Sequence, residues 1–387
     1  VAVNGGTTLR LALDPDFSRE TISSVRHYQK YAMRTHVPSE VQQTRPLNMP
    51  ANLLKSCQVT VILADGSVNN VNGSYVAKIY KPETVELNQD GTEVKEAKKL
   101  HKYDGAVYSK MSMNVNGNTG VLNIRAANEG LDTELHLTVW GGDINICSGN
   151  DGINTNEDKV SVTTINGGNI SCEGTKGSDI SVSSFDHDAS ININGGYISI
   201  KGDDMYFGLA AFSTGSKSIF INDGSVFIYI GGYGLCTSSF STVSGTSTIA
   251  ILGGRFNDSS TLGINADSST NVGELILGWK NADDYIYAKK YDIDGDVRTV
   301  SGQYLMACVS PDGTGTAFTG TLDATGIGAI EGMYLRPAMY TISAPENCNL
   351  SVANNVGTVD PVTVGSGDAA KTYYLYDPDN TVTASLK

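Results

Sequence analysis

The feature that most constrains this chain is a glycine-containing phrase that recurs at nearly constant spacing between residues 140 and 256. A shorter copy, GVLNIR (Gly120–Arg125), lies 22 residues before the first full phrase. Self-similarity with a period of about 20 to 50 residues is typical of solenoids, in which each repeat stacks on its neighbours. The second glycine of the phrase recurs at intervals of 26, 28, 28 and 30 residues, at Gly142, Gly168, Gly196, Gly224 and Gly254.

Apolar residues alternate with polar ones on both sides of the glycines, and a period of two residues predicts β-strands. After the glycines, the residues expected to point inward are Leu122/Ile124, Ile144/Ile146, Ile170/Cys172, Ile198/Ile200 and Val226/Ile228. Before the glycines they are Val139, Ile165, Ile193, Ile221 and Ile251. A third short element carries Leu131, Ile153, Ile180, Met205, Leu235 and Ile264. Three strands per coil, stacked about 4.8 Å apart, make a parallel β-helix.

The predicted fold is therefore all-β, a right-handed parallel β-helix that occupies residues 57–280. Segments of helical length between the strands are missing, which excludes an ordinary α/β crossover fold. Residues 1–56 contain the pattern of one short helix at 14–33 and are expected to cap the first coil. In residues 281–387 tyrosine-rich runs replace the repeat, and we expect a β-rich extension that ends in a β meander.

The balance of charge limits the partners of the chain. A net charge of −14 disfavours binding to nucleic acid or to an anionic membrane, and no run of 18 apolar residues predicts membrane insertion. The even number of six cysteines fits disulfides in an oxidising compartment, and the lack of a C-x-x-C pair disfavours zinc. A chain that begins at Val1 is expected to be processed. We predict an extracellular or cell-surface location.

Four phrases of the sequence resemble a known family. They are similar to the calcium-containing carbohydrate-binding β-helix proteins that bind polygalacturonate and cellulose, over about residues 57 to 310. The resemblance implies a pectate-lyase-like superhelix, bound Ca²⁺ and binding of polysaccharide without catalysis. The phrases are VTVILADG (Val59–Gly66), DGAVYSK (Asp104–Lys110), GNDGINT (Gly149–Thr155) and INGGNI (Ile165–Ile170).

Acidic and amide side chains recur at one turn of the predicted coil. Alignment of the third strand places Glu129, Asp151 and Asp203 in one column together with Ser178. Repeating carboxylates repel one another unless a cation relieves them, and Ca²⁺ takes six to eight oxygen ligands. The predicted metal residues are Glu129, Asp132, Asn150, Asp151, Asn154, Asp203 and Asp204. The alternative is a set of solvated turn residues.

The strand after the glycines turns alternate residues outward, which predicts a row of basic and aromatic side chains. Cations suit the carboxylates of an acidic polysaccharide, and aromatic faces suit sugar rings. The same side chains could instead pack under loops or against a second subunit. The predicted carbohydrate-binding residues are Arg125, Tyr197, Lys201, Phe227, Tyr229 and Arg255.

Three functions fit these observations. The first is binding of an acidic or β-linked polysaccharide without turnover. The second is a structural subunit of an extracellular fibre or cell-surface coat, with self-assembly through the terminal segments. The third is a calcium-dependent pectate-type lyase, which the sequence disfavours because no set of basic residues converges near the acids. A polygalacturonase is disfavoured too, since no Gly-His-Gly segment is present.

Overall fold

The computed structural model confirms an all-β solenoid. It describes residues 2–3, 10–13, 58–73, 105–109, 112–133, 135–157, 161–184, 188–202, 204, 206–238, 245–266, 273–312 and 327–387. The helix expected at residues 14–33 lies outside these residues. Within the described ranges, helix is limited to short 3-10 segments at Ile327–Ile330 and Gly367–Ala369. None of these helical segments has the length and hydropathy needed to cross a membrane.

Three sheets form the faces of the solenoid, and the chain visits them in the order B, A, C. Sheet A contains β1 (Ala2–Val3), β4 (Val68–Gly73), β7 (Val121–Ala126), β10 (Asp143–Ser148), β13 (Asn169–Gly174), β16 (Tyr197–Gly202), β19 (Ser225–Ile230), β22 (Arg255–Asp258), β25 (Tyr285–Ala288), β28 (Leu305–Cys308) and β29 (Tyr334–Pro337). Sheet B contains β2 (Arg10–Leu13), β3 (Gln58–Leu63), β6 (Ser112–Gly117), β9 (His136–Val139), β12 (Ser161–Ile165), β15 (Ala189–Ile193), β18 (Lys217–Ile221), β21 (Ser247–Ile251), β24 (Gly273–Leu277) and β27 (Gly295–Thr299). Sheet C contains β5 (Gly105–Ser109), β8 (Glu129–Thr133), β11 (Ile153–Glu157), β14 (Ser178–Ser184), β17 (Phe207–Ser213), β20 (Tyr233–Ser238), β23 (Gly263–Ala266) and β26 (Tyr291–Ile293).

Glycines at the turn into sheet A allow the coils to stack closely. Gly168 and Gly196 have φ angles of 92° and 89°, a region that residues with a Cβ rarely adopt. A Cβ on Gly168 would lie 2.8 Å from the carbonyl oxygen of Gly142 in the preceding coil, and one on Gly196 would lie 2.6 Å from the oxygen of Gly168. The recurring glycine is therefore required for two reasons: its backbone adopts a positive φ angle, and its lack of a Cβ lets the neighbouring coil approach closely.

The predicted inward ladders of sheets A and B are buried. In sheet A, Ile146 pairs with Cys172, Cys172 with Ile200, and Ile200 with Ile228. All four side chains are at most 3 % exposed. Burial of one such aliphatic side chain contributes roughly 1.5–3 kcal/mol, so the ladder is the main source of stability along the solenoid.

The prediction for the third strand is correct in part. Leu131, Ile153, Ile180, Leu235 and Ile264 are each fully buried on the inner side of sheet C. The alignment is wrong at Met205, because Ile180 pairs with Leu209. The inward position of this coil is therefore Leu209, four residues after the predicted one. Met205 itself lies outside the described residues.

The parallel stack continues beyond residue 280, where the sequence predicts its end. β25, β26 and β27 each pair in parallel with the strand of the preceding coil, as far as Thr299. The glycine phrase is lost there, but Ile286, Ala288 and Val297 still face the core. Inward apolar residues are enough to continue the stack, so loss of the glycines does not mark the end of the coils.

Antiparallel strands flank the stack at both ends. β1 and β2 pair antiparallel with β4 and β3 at the first end, and β29 pairs antiparallel with β25 and β28 at the other. The expected C-terminal β region is also antiparallel. Its strands are β30 (Met339–Tyr340), β31 (Cys348–Ala353), β32 (Val362–Val364), β33 (Lys371–Leu375) and β34 (Thr381–Leu386).

Candidate functional site

The outward side chains of sheet A form three columns parallel to the stack of coils. The register of β7, β10, β13, β16, β19, β22 and β25 fixes these columns, and all six predicted carbohydrate-binding residues lie in them. The first column runs Val121, Asp143, Asn169, Tyr197, Ser225, Arg255, Tyr285. The second runs Asn123, Asn145, Ser171, Ser199, Phe227, Asn257, Tyr287, and the third runs Arg125, Cys147, Glu173, Lys201, Tyr229.

Aromatic side chains occupy the later coils of this face in two clusters. The rings of Tyr197 and Phe227 lie 5.4 Å apart, and Tyr229 beside them is 60 % exposed. The second cluster surrounds Tyr334, whose ring lies 4.7 Å from Tyr287 and 5.5 Å from the Tyr285 ring. This second cluster is not among the features predicted from the sequence. Tyr285 and Tyr287 come after the predicted end of the solenoid. Tyr334 lies in β29, an antiparallel strand that is not part of the sequence repeat.

Amide side chains occupy the earlier coils of the same face. Asn123 donates a hydrogen bond to Asn70 at 3.0 Å, and Asn145 donates to Asn123 at 3.0 Å. In the first column Asn169 donates to Asp143 at 2.6 Å. These hydrogen bonds between successive coils hold the amides in a fixed polar ladder. The face of sheet A is thus polar over its early coils and aromatic over its late ones.

Acidic side chains accompany two of the three predicted basic residues. Arg255 donates to Asp283 at 3.0 Å, in an ion pair whose side chains are about half exposed. Lys201 pairs in register with Glu173 on the adjacent strand. A cation with a carboxylate beside it attracts an external anion weakly, because the two fields partly cancel. The face therefore has less positive potential than its lysine and arginines alone predict.

The acidic turn lies at the corner where the chain enters sheet C. The pairing of Ile153 with Leu131 aligns Asp151 with Glu129, and the backbone N–H of Ser178 donates to Asp151 Oδ1 at 2.7 Å. Asp132 and Asn154 are register partners on the same two strands. Glu129, Asp132 and Asn154 are at most 9 % exposed. These three predicted residues are therefore buried, on two adjacent strands of sheet C.

The same register does not place Asp203 in the predicted column, and Asp204 lies away from it. Ser178 pairs with Phe207, so the aligned position in the following coil is an aromatic residue and not Asp203. Asp203 lies outside the described residues. Asp204 is exposed in the turn before β17, two coils away from Asp151. The alignment through Met205 caused this error.

The remaining oxygen atoms fit calcium in part. A Cβ on Gly177 would lie 2.4 Å from both Asn150 Oδ1 and Asp151 Oδ1, so these two oxygens converge where glycine leaves space. Carboxylate and amide oxygens are the ligands that Ca²⁺ prefers. In the part of the chain that the structure describes, however, no group of three or more His, Cys, Asp or Glu side chains forms a metal cluster.

Two aspartates are buried inside the coils, and neither is among the residues predicted from the sequence. Burial, together with the smaller effects of the nearby charges of Asp151 and Glu173, raises the pKa of Asp179 to about 8. Burial also raises the pKa of Asp258 to about 7, against the opposing effect of a hydrogen bond from the backbone N–H of Ser260. Asp258 stands in register with Ile228, so the alternation in β22 could have placed it inward.

A pH titration of stability tests the position of Asp258. Its folded pKa of about 7 exceeds the ordinary value of 3.8, so the folded state holds a proton that the unfolded state releases. We expect the free energy of unfolding to fall as pH rises from about 4 to 7, by up to about 1.4 kcal/mol per pH unit from this group. Asp258→Asn should remove that contribution, while the exposed Asp368→Asn should not. Urea unfolding at several pH values measures both, and equal slopes for wild type and Asp258→Asn would contradict the placement.

Comparisons with known proteins identify a family for the solenoid region. A family model described as "Carbohydrate-binding domain-containing protein" matches residues 40–303, which is 264 of the 387 residues. The matched region includes most of the parallel coils and the outward columns of sheet A. No curated protein and no solved structure matches the chain at a significant level.

Proposed function

The chain belongs to the family of carbohydrate-binding domain-containing proteins, and we propose that it binds an extended, neutral, β-linked polysaccharide outside the cell without cleaving it. The observation that carries this proposal is the aromatic half of sheet A. Tyr197 and Tyr229 are 47 % and 60 % exposed, although large apolar surfaces are normally buried. The C–H faces of sugar rings pack favourably on such aromatic faces.

The spacing of the two aromatic clusters supports an extended ligand. Phe227 and Tyr287 occupy one column two coils apart, which corresponds to about 10 Å at the usual strand spacing. In a ribbon-like β-1,4-linked chain, every second ring presents the same face. Such a chain laid along the columns could place alternate rings on the two clusters. Asn257, which lies between them in the column, can hydrogen-bond the hydroxyl groups of the intervening ring.

The charges of the face favour a neutral glycan over an acidic one. Arg255 is paired with Asp283, and Lys201 stands beside Glu173. The whole chain also carries a net charge of −14, which repels a polyanion. Affinity should then come from ring contacts and hydrogen bonds, which depend little on salt.

The Asp and His side chains with shifted pKa values lie inside the solenoid or on sheet B, which supports binding without turnover. His136 lies in β9 of sheet B, on a different face from the aromatic columns. Burial lowers its pKa, which favours the neutral imidazole. Asp179 and Asp258 are fully buried and have no contact with solvent. General acid–base catalysis requires a group within hydrogen-bonding distance of the substrate.

Calcium is the second part of this proposal. Glu129 and Asp132 come from one coil, and Asn150, Asp151 and Asn154 come from the next. Of these, Asn150 and Asp151 would hold the ion, because their Oδ1 atoms converge beside Gly177. Its charge would relieve the repulsion between the aligned carboxylates of Asp151 and Glu129. Asp203 and Asp204 are left out of this ligand set because of the register of β17.

Replacement of Tyr229 tests the binding face. We expect Tyr229→Ala to weaken binding of a β-1,4-linked glucose hexaose about tenfold, because one exposed ring contact is lost. The fold should be unchanged, since Tyr229 is largely exposed. Tyr373→Ala in β33 is the matched control and should bind like the wild type. Isothermal titration calorimetry at low and high salt gives the affinities.

Other results of this titration would favour other functions. Binding to polygalacturonate that weakens steeply with salt would replace the neutral glycan by an acidic one. Release of unsaturated uronate products from that polymer would show a lyase. No binding to either polymer by the wild type would refute carbohydrate binding through this face.

Chelation tests the calcium site. We expect excess EDTA to lower the melting temperature of the wild type and added Ca²⁺ to restore it, because a ligand that binds only the folded state stabilises it. Asp151→Asn should reduce this response, whereas the exposed Asp368→Asn should keep it. An unchanged melting curve in EDTA, with no metal found by elemental analysis, would rule the site out.

Self-association is the second candidate function, and the two-stranded sheet of β31 and β34 favours it. One face of this sheet is apolar, with Val352 opposite Val382 and Cys348 opposite Leu386. Val382 and Leu386 are 45 % and 84 % exposed. A second copy of β34, paired antiparallel about Ala384, would align the two apolar faces.

We expect Leu386→Asp to shift any dimer to monomer in analytical ultracentrifugation, and a wild-type monomer at high concentration would exclude this function.

A further inference from the structure

A second group of aromatic side chains lies at the corner between sheets A and C, away from the outward columns of sheet A. Tyr206 is 63 % exposed and lies in the turn before β17. Phe207 and Tyr233 are register partners in β17 and β20. Their half-buried rings are nearly parallel, with an angle of 11° and 6.4 Å between centroids. The Tyr206 ring lies 6.5 Å from that of Phe207.

Neighbouring side chains hold this group in place and add polar atoms to it. The edge of Phe212 packs against Phe207 at 5.2 Å. The hydroxyl of Tyr233 donates to Asp292 Oδ2 at 3.1 Å, and the amide of Asn265 donates to the same oxygen at 3.0 Å. Asp292 is exposed. The corner therefore combines fixed rings with a carboxylate whose orientation is already set.

Packing of the solenoid does not explain these rings. In earlier coils the same corner column holds Glu129 and Ser178, and the coils stack there equally well. A change to Phe207 and Tyr233 in two consecutive coils, with Tyr206 next to them, creates exposed apolar surface. Contiguous apolar surface on a water-exposed corner is usually a binding surface.

We propose that this corner is a second carbohydrate-binding site, which takes a short stretch of the same neutral β-linked glycan. Tyr206 and Phe207 would contact the C–H faces of the sugar rings, and Asp292 would accept hydrogen bonds from their hydroxyl groups. The inference rests on the proposed function. Because this corner and the face of sheet A point in different directions, one protein could hold two glycan chains and connect them.

Calorimetry with separate variants of the two sites tests the inference. The β-1,4-linked glucose hexaose is titrated into wild type, Tyr206→Ala, Tyr229→Ala and the double variant, with Tyr373→Ala as control. We expect two hexaose molecules per wild-type chain. Each single variant should keep one site and lose about tenfold in affinity at the other, and the double variant should be weakened at both. Tyr206 and Tyr229 are largely exposed, so their replacement should leave the fold unchanged, and circular dichroism checks this.

The outcomes separate this inference from the proposed function. One hexaose per chain, weakened by Tyr229→Ala and unchanged by Tyr206→Ala, would leave the sheet A site intact and overturn the corner site. One hexaose per chain, weakened by Tyr206→Ala and unchanged by Tyr229→Ala, would place binding at the corner alone and overturn the pair of sites. No binding by the wild type would refute the proposed function, and the second site with it. Precipitation of long β-glucan by wild type but not by Tyr206→Ala would independently support two sites.

Discussion

The close contact between successive coils at the turn into sheet A is the constraint on which the rest of the structure depends. A Cβ on the glycine of one coil would collide with the carbonyl oxygen of the glycine in the preceding coil. For Gly168 the distance from this Cβ to the oxygen of Gly142 would be 2.8 Å. Each coil must therefore stack directly on the one before it, at the spacing of hydrogen-bonded strands. Asn169 continues this contact by donating its backbone N–H to the oxygen of Gly142 at 2.9 Å. Glycine at this turn fixes the register of the coils between Gly142 and Gly254.

A fixed register turns single residues into continuous surfaces. One outward position in each strand of sheet A becomes a column, and a column can present the same chemistry over several coils. Amide ladders follow where asparagine repeats, since Asn123 and Asn145 bond along the stack. Aromatic clusters follow where Tyr197 and Phe227 occupy neighbouring columns and where Tyr287 continues the column of Phe227. Such long surfaces suit a linear polymer better than a compact ligand, which agrees with membership of a carbohydrate-binding family.

The interior of the solenoid is less uniform than its aliphatic ladders imply. Asp179 and Asp258 are fully buried, and the oxygens of Asp179 have no hydrogen-bond partner in the described part of the chain. A buried carboxyl group without a partner costs free energy and is held in its neutral form near neutral pH. Asp179 also approaches Cys172 in the core, whose thiol pKa is raised by burial and by that aspartate. Stability of the folded state should therefore depend on protonation inside the coils.

The sequence by itself determined the solenoid, the inward ladders of sheets A and B, and the outward face with its six predicted residues. Those features follow from local rules: a period of two residues gives a strand face, and a recurring glycine gives a turn. Only the tertiary structure decided the pairing of Ile180 with Leu209, the exclusion of Asp203 and Asp204 from the acidic column, and the continuation of the coils to Thr299. It also decided that Tyr334 joins the aromatic face and that Asp283 pairs with Arg255. These features depend on the length of each turn and on which distant strand returns to the sheet. Contacts between residues far apart in sequence stabilise them, and such contacts form only when the coils are packed together.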